Sequence, residues 1–144
     1  MDDTLRRRAL LAALGGGVAA TAGCLGGDTG DGPYGGWLSN ANDFDGVVNR
    51  TGRDEARVSV GAGSGLSFAP AAIRVSPGTT VRWEWTGFGG GHNVVEETGV
   101  FESELRFEEG STFTYSFDEP GVYRYVCTPH RTQGMLGVVE VVDE

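Results

Sequence analysis

The sequence predicts an all-β protein, an antiparallel β-sandwich of seven to eight short strands. Apolar and polar residues alternate with period two over several short segments, the mark of strands with one buried face. Turn signals rich in Gly, Pro and Asp separate these segments. The 25 glycines among 144 residues, with few long apolar repeats at helical spacing, point the same way.

The chain opens on something other than the sandwich. "TLRRRALLAALGGGVAATAGC" has a basic start and an apolar run over residues 9–22. That run is shorter than the ~20 residues of a membrane span, and it has the two-part layout of a secretory signal. The arginines followed by "ALL" resemble a twin-arginine export signal, a route that carries folded proteins. "TAGC" resembles a lipobox with Thr21 where Leu is usual, which makes Cys24 the expected lipidated residue after cleavage. Residues 1–23 are thus expected to be the signal, and 24–40, which include "LGGDTGDGPYGG", a Gly/Asp-rich tether. Residues 41–144 are expected to be the folded domain. It would sit outside the cytoplasm, held at the membrane by lipid on Cys24, for which two acyl chains suffice. "NRT" at Asn49 fits the N-glycosylation pattern.

The strands follow in order. "ARVSVGA" puts Val58 and Val60 on one face. "AAIRVSPGTTVRWEW" holds two strands on either side of the Ser76–Pro77–Gly78 turn signal. In the second, Val81, Trp83 and Trp85 share one face and Arg82 and Glu84 the other. "HNVVEE", "STFTYSF", "GVYRYVC" and "GVVEVV" continue the pattern, with "DEPG" as the turn after Phe117. A domain of this size buries a sufficient core without disulfides. Cys24 and Cys127 are the only cysteines, and the first belongs to the leader.

Charge narrows the partners. The formal net charge is −9, from 20 acidic and 11 basic residues, and every basic residue is Arg. A surface of that sign excludes nucleic acid as a partner and electrostatic binding to anionic lipid. An acidic, Lys-free balance is also what proteins in concentrated salt show. Near 1 M salt the Debye length is ~3 Å, so docking there rests on short-range apolar fit.

The chemistry concentrates in "CTPHRTQGM". Cys127, His130 and Met135 fall in the loop before the last strand, and the chain's other histidine is His92 in "GGGHNVV". Each alone is ordinary: a lone Cys or Met is usually core and a lone His is usually surface. Together they include both histidines, the single non-initiator Met and the single Cys beyond the leader. Two imidazoles, a thiolate and a weak thioether form the donor set of blue-copper electron-transfer sites. Thiolate suits Cu(I), imidazole suits both oxidation states, and the weak axial donor does not impose a tetragonal Cu(II) geometry. Zinc competes for Cys and His, but gains little from Met.

"HNVV" followed by Cys-x2-His-x4-Met resembles the plastocyanin-type cupredoxins. "DFDGVVNRTG", "SPGTTVRWEWTG" and "GGGHNVV" look like the haloarchaeal members of that family, the halocyanins. The resemblance covers roughly residues 37–144. It implies a Greek-key sandwich holding one copper ion through His92, Cys127, His130 and Met135. It implies that Asn93 hydrogen-bonds the ligand loop and that Pro129 stiffens it. It also implies electron transfer through the edge of His130, ringed by Phe88, Gly89, Gly90, Gly91, Pro129, Gly134 and Leu136. Plant plastocyanins carry a Tyr before the ligand Cys as a second port, and this chain has Val126 there. Glu96, Glu97, Glu102 and Glu104 read as ordinary solvated charge.

The expected function is therefore one-electron transport between membrane redox complexes, through transient contacts and with no small-molecule substrate. The protein would not be an enzyme, because four donors leave no open position. Two alternatives stay open from sequence alone: a cell-surface copper binding or delivery protein, and a structural sandwich with no metal.

Overall fold

The computed structural model describes residues 33–143. The expected signal, Cys24 and most of the expected tether lie outside the described residues. The chain divides into Met1–Gly36 and Trp37–Glu144. Of the first unit, a 3-10 turn at Pro33–Gly36 is described.

The second unit carries nine strands among the described residues: β1 (Val47–Asn49), β2 (Glu55–Ala62), β3 (Ser67–Ala69), β4 (Ala72–Val75), β5 (Thr79–Trp85), β6 (Val95–Glu96), β7 (Thr112–Phe117), β8 (Gly121–Val126) and β9 (Leu136–Val141). They form two sheets, ordered β1-β4-β9-β8-β6 and β3-β2-β5-β7. The sandwich is as expected, but its sheets are mixed rather than antiparallel. β1 with β4, β4 with β9, and β2 with β5 run parallel. The cause is the path of the chain. Turns after β4 and after β7 cross from one sheet to the other instead of folding back as hairpins. Neighbours within a sheet are then distant in sequence, and some share a direction.

Alternation builds the core. In β5 every second residue is buried, with Val81, Trp83 and Trp85 inward and Arg82 and Glu84 outward. From the facing sheet come Ile73, Val75, Tyr125, Val139 and Val141. Trp83 meets Tyr125 edge-on at 5.4 Å between ring centroids, and Phe68 meets the same ring at 4.7 Å. Such contacts add to the area term that dominates burial of aromatic rings. The outward faces carry ion pairs, including Arg82 with Glu55 and Arg57 with Glu84, of the exposed kind worth little individually.

The folded unit also takes in residues that composition assigns to the tether. Leu38 is buried, and the Trp37 indole N–H donates to the Gly137 carbonyl at 3.0 Å.

The Tyr125 hydroxyl has no hydrogen-bond partner among the described residues. The Trp83 indole N–H lies close enough to favour its ionised form slightly, without closing to bonding distance. Burial dominates and pushes the phenol well above its ordinary range. Two substitutions should therefore separate. Trp83→Ala opens a cavity and should cost about 3–5 kcal/mol. Tyr125→Phe removes an unsatisfied hydroxyl and should leave stability unchanged or raised by about 1 kcal/mol. Denaturant unfolding of both variants beside the native protein checks this.

Candidate metal centre

The site lies where the 3-10 turn Thr128–Gln133 joins β8 to β9. Cys127 follows the last residue of β8 and is wholly buried, as are His92 and Met135. His130 is half-buried. One donor atom each from His92, Cys127 and His130 lies within 4.8 Å of the others. The Cys127 sulfur is 3.6 Å from His92 Nδ1 and 3.4 Å from His130 Nδ1, and the two imidazole centroids are 5.0 Å apart.

His92 is fixed from three sides. Its backbone forms an isolated bridge with Arg106, donating to and accepting from it at 2.9 Å. The buried Trp85 indole donates to the His92 carbonyl at 3.1 Å, so the tryptophan stripe read as core also holds a site residue. The imidazole Nε2 lies 2.7 Å from the Phe88 carbonyl. A carbonyl only accepts, so Nε2 carries the proton and Nδ1 presents its lone pair towards the sulfur. Gly61 allows this approach. A side chain there would press on the Phe88 carbonyl, Thr86 Oγ1 and the imidazole itself.

The loop is anchored at its start by Asn93. Its Nδ2 donates to Thr128 Oγ1 at 2.9 Å, and its Oδ1 accepts from the Thr128 amide at 2.8 Å. Pro129 stands in the first turn of the 3-10 segment, where its fixed φ suits the conformation. Backbone bonds tie Met135 in: the Cys127 amide donates to its carbonyl at 3.1 Å, and its own amide donates to the His130 carbonyl at 3.3 Å.

The electrostatics favour neutral imidazole and a protected thiol. Burial pushes the His92 pKa down, against the Phe88 carbonyl, and His130 adds to the lowering. Burial pushes the Cys127 thiol up, and the Asn93 and His130 backbone amides directed at the sulfur oppose it. Two imidazole Nδ1 atoms beside a buried sulfur, in a pocket that disfavours protons on His92, fit a soft or borderline cation such as copper.

The surface residues divide. Phe88 is 69% exposed, and Gly89, Gly90 and Pro129 are exposed. Gly91 and Leu136 are half-buried. Gly134 is buried and does not belong to that surface. It closes the loop at φ 92°, where a side chain would strike the Asn40 carbonyl and Asn42. Val126 is buried too. Phe107, 61% exposed and with its ring against Gly91, widens the apolar surface, and Leu105 is 48% exposed two residues before it. The sequence alone did not mark them. The signal was weak: two apolar residues in an acidic, aperiodic stretch, with the Phe107 ring brought over Gly91 only by the fold. Among the four acidic residues read as solvated, Glu96 differs. It is buried, and its Oε1 accepts from the Thr98 amide and hydroxyl and the Val100 amide.

Comparison with known proteins agrees with this geometry. Residues 55–142 match the family described as copper binding proteins, plastocyanin/azurin family. The chain is 48% identical to halocyanin from Natronomonas pharaonis, over 98% of this chain and 99% of that one. It is 36% identical to chloroplastic plastocyanin from Tetradesmus obliquus, over 60% of this chain and 66% of that one. A fern plastocyanin of known structure superposes with a TM-score of 0.52 at 29% identity, covering 60% of this chain and 100% of that one.

The lowered His92 pKa sets a pH dependence. The unfolded chain takes up a proton near the ordinary imidazole value of 6.5, and the folded protein resists it. The unfolded state then binds more protons, so stability falls as pH drops through that range. In the metal-free protein, unfolding at pH 7 and pH 5 should show a loss that is smaller in His92→Asn.

Proposed function

Because the chain belongs to the plastocyanin/azurin family of copper-binding proteins, we propose that it is a blue-copper carrier of single electrons, with His92, Cys127, His130 and Met135 as the ligands. The observation that carries this reading is the convergence of two imidazole Nδ1 atoms on the Cys127 sulfur, 3.6 and 3.4 Å away, with His92 Nε2 occupied by the Phe88 carbonyl. When bound, copper supplies a Cu(II)/Cu(I) couple. These residues would hold it: Cys127 and His92 from the sandwich interior, His130 and Met135 from the loop.

Burial of three donors disfavours copper delivery, which needs ligands that an acceptor can reach. His92, Cys127 and Met135 are all 0% exposed. No position is left for a substrate, which supports transport rather than catalysis. His130 alone among the four reaches the surface, beside Phe88, Gly89, Gly90, Pro129 and Leu136, with Phe107 extending the apolar ground. Redox partners would dock there transiently. The apolar character suits a protein whose charges are screened by salt.

The location is part of the proposal. Residues 1–23 would direct export, and lipid on Cys24 would hold the domain at the outer face of the cell membrane, near membrane-bound donors and acceptors. Among the described residues no helix is long and apolar enough to cross a membrane.

Copper-loaded protein should be intensely blue, bleach with ascorbate and recover on reoxidation. A colourless protein after one equivalent of Cu(II), with Cys127 freely titratable, would overturn the proposal. Met135→Leu should keep the blue colour and raise the reduction potential, since removing the thioether takes a donor from the more highly charged Cu(II). Voltammetry reads the shift. Cys24→Ser, expressed in an exporting host, should move the protein from the membrane fraction to the soluble extracellular fraction.

A further inference from the structure

The ligand loop has two ends, and Asn93 accounts for one. The turn Thr128–Gln133 contains no buried residue, so the core does not hold it down. At its far end stands Asn42, from the segment ahead of β1. The Asn42 amide donates to the Gly134 carbonyl at 2.9 Å. Its Nδ2 donates to the Gln133 carbonyl at 2.8 Å and to the Leu66 carbonyl at 2.9 Å. Gly134 has no Cβ, and one would meet Asn42 Oδ1 at 2.8 Å and the Asn40 carbonyl at 2.7 Å. The fit between this segment and the loop is therefore close on both sides.

Trp37 adds a second contact. Its indole bonds to the Gly137 carbonyl at 3.0 Å, and the Arg131 guanidinium lies 5.6 Å from its ring centroid. Arg131 is the residue after His130. Arg124 lies over the same ring at 5.9 Å. The buried Leu38 roots the segment between these contacts. Trp37 and Asn42 both lie ahead of residues 55–142, the part that matches the copper-binding family.

We propose that Asn42, supported by Trp37, is a positioning residue for the metal centre: it fixes the Gln133–Gly134 end of the loop and so the placement of His130 and Met135. Two asparagines then clamp the ligand loop, Asn93 at Thr128 and Asn42 at Gln133 and Gly134. Residues 37–42, which begin inside the expected tether, become part of the redox site's rigidity. The inference rests on the copper reading above for its consequence, and on hydrogen bonding alone for its structure.

The test compares Asn42→Ala with Asn49→Ala in the full chain. Asn49 accepts from the Thr51 amide and hydroxyl in an exposed turn, so its loss removes two hydrogen bonds without touching the loop. Asn42→Ala should release copper to a chelator on the order of tenfold faster, alter the blue absorption and shift the reduction potential. Asn49→Ala should leave all three unchanged. In the metal-free proteins, hydrogen exchange at the Gly134 and Met135 amides should quicken on the order of tenfold in Asn42→Ala only. Asn42→Asp, which loses the Nδ2 donors, should follow Asn42→Ala. An Asn42→Ala protein that merely melts lower, with native copper release, spectrum, potential and loop exchange, would overturn the proposal. A native protein that never turns blue would instead defeat the copper reading, and the exchange comparison would still decide the brace.

Discussion

A sulfur atom in the dry interior with two imidazole nitrogens aimed at it is the constraint on which the rest depends. Burial costs the imidazoles their water, which their neighbours replace only in part. The arrangement persists because the surroundings over-determine it. Cys127 is carried at the end of β8, between the sheets. His92 is held through its carbonyl by Trp85, through its backbone by Arg106, and through Nε2 by Phe88. The family to which the chain belongs binds copper, and a cation held by these residues would take up the donors gathered here.

From this constraint the division of the molecule follows. The two sheets supply a stiff interior of Trp83, Tyr125, Phe68 and the valines around them, so the donors on it have little freedom to move. The loop supplies the two donors that the sheets cannot. Because no residue of Thr128–Gln133 is buried, the loop borrows its rigidity from hydrogen bonds at its two ends. A site whose donors stay in place as charge changes needs little reorganisation, which is the physical demand of carrying an electron rather than transforming a substrate. Exposure is concentrated where that demand ends, at the edge of His130 and the apolar, glycine-rich ground beside it.

The sequence disclosed those features that depend on local pattern or rare residues. β2, β5 and β7 were legible because several consecutive residues alternate. β1 and β3 were not, since three residues each are too few to show a period. The parallel pairings were illegible because they join strands such as Ala72–Val75 and Leu136–Val141, far apart in the chain. Cys127, both histidines and Met135 stood out through scarcity. Gly134 was misplaced on the surface because a glycine beside a ligand reads the same whether it faces solvent or a neighbouring backbone. Asn42 carried no signal at all. Its role exists only when the fold brings it to Gln133, 91 residues away.

The central claim is that the fold holds one thiolate and two imidazoles around copper without rearrangement. X-ray absorption at the copper edge, on the oxidised and then the reduced protein in high salt, tests it most directly. The account predicts two nitrogen donors and one short sulfur contact in both states. Loss of the sulfur contact, or a shell of oxygen donors from water in either state, would contradict it.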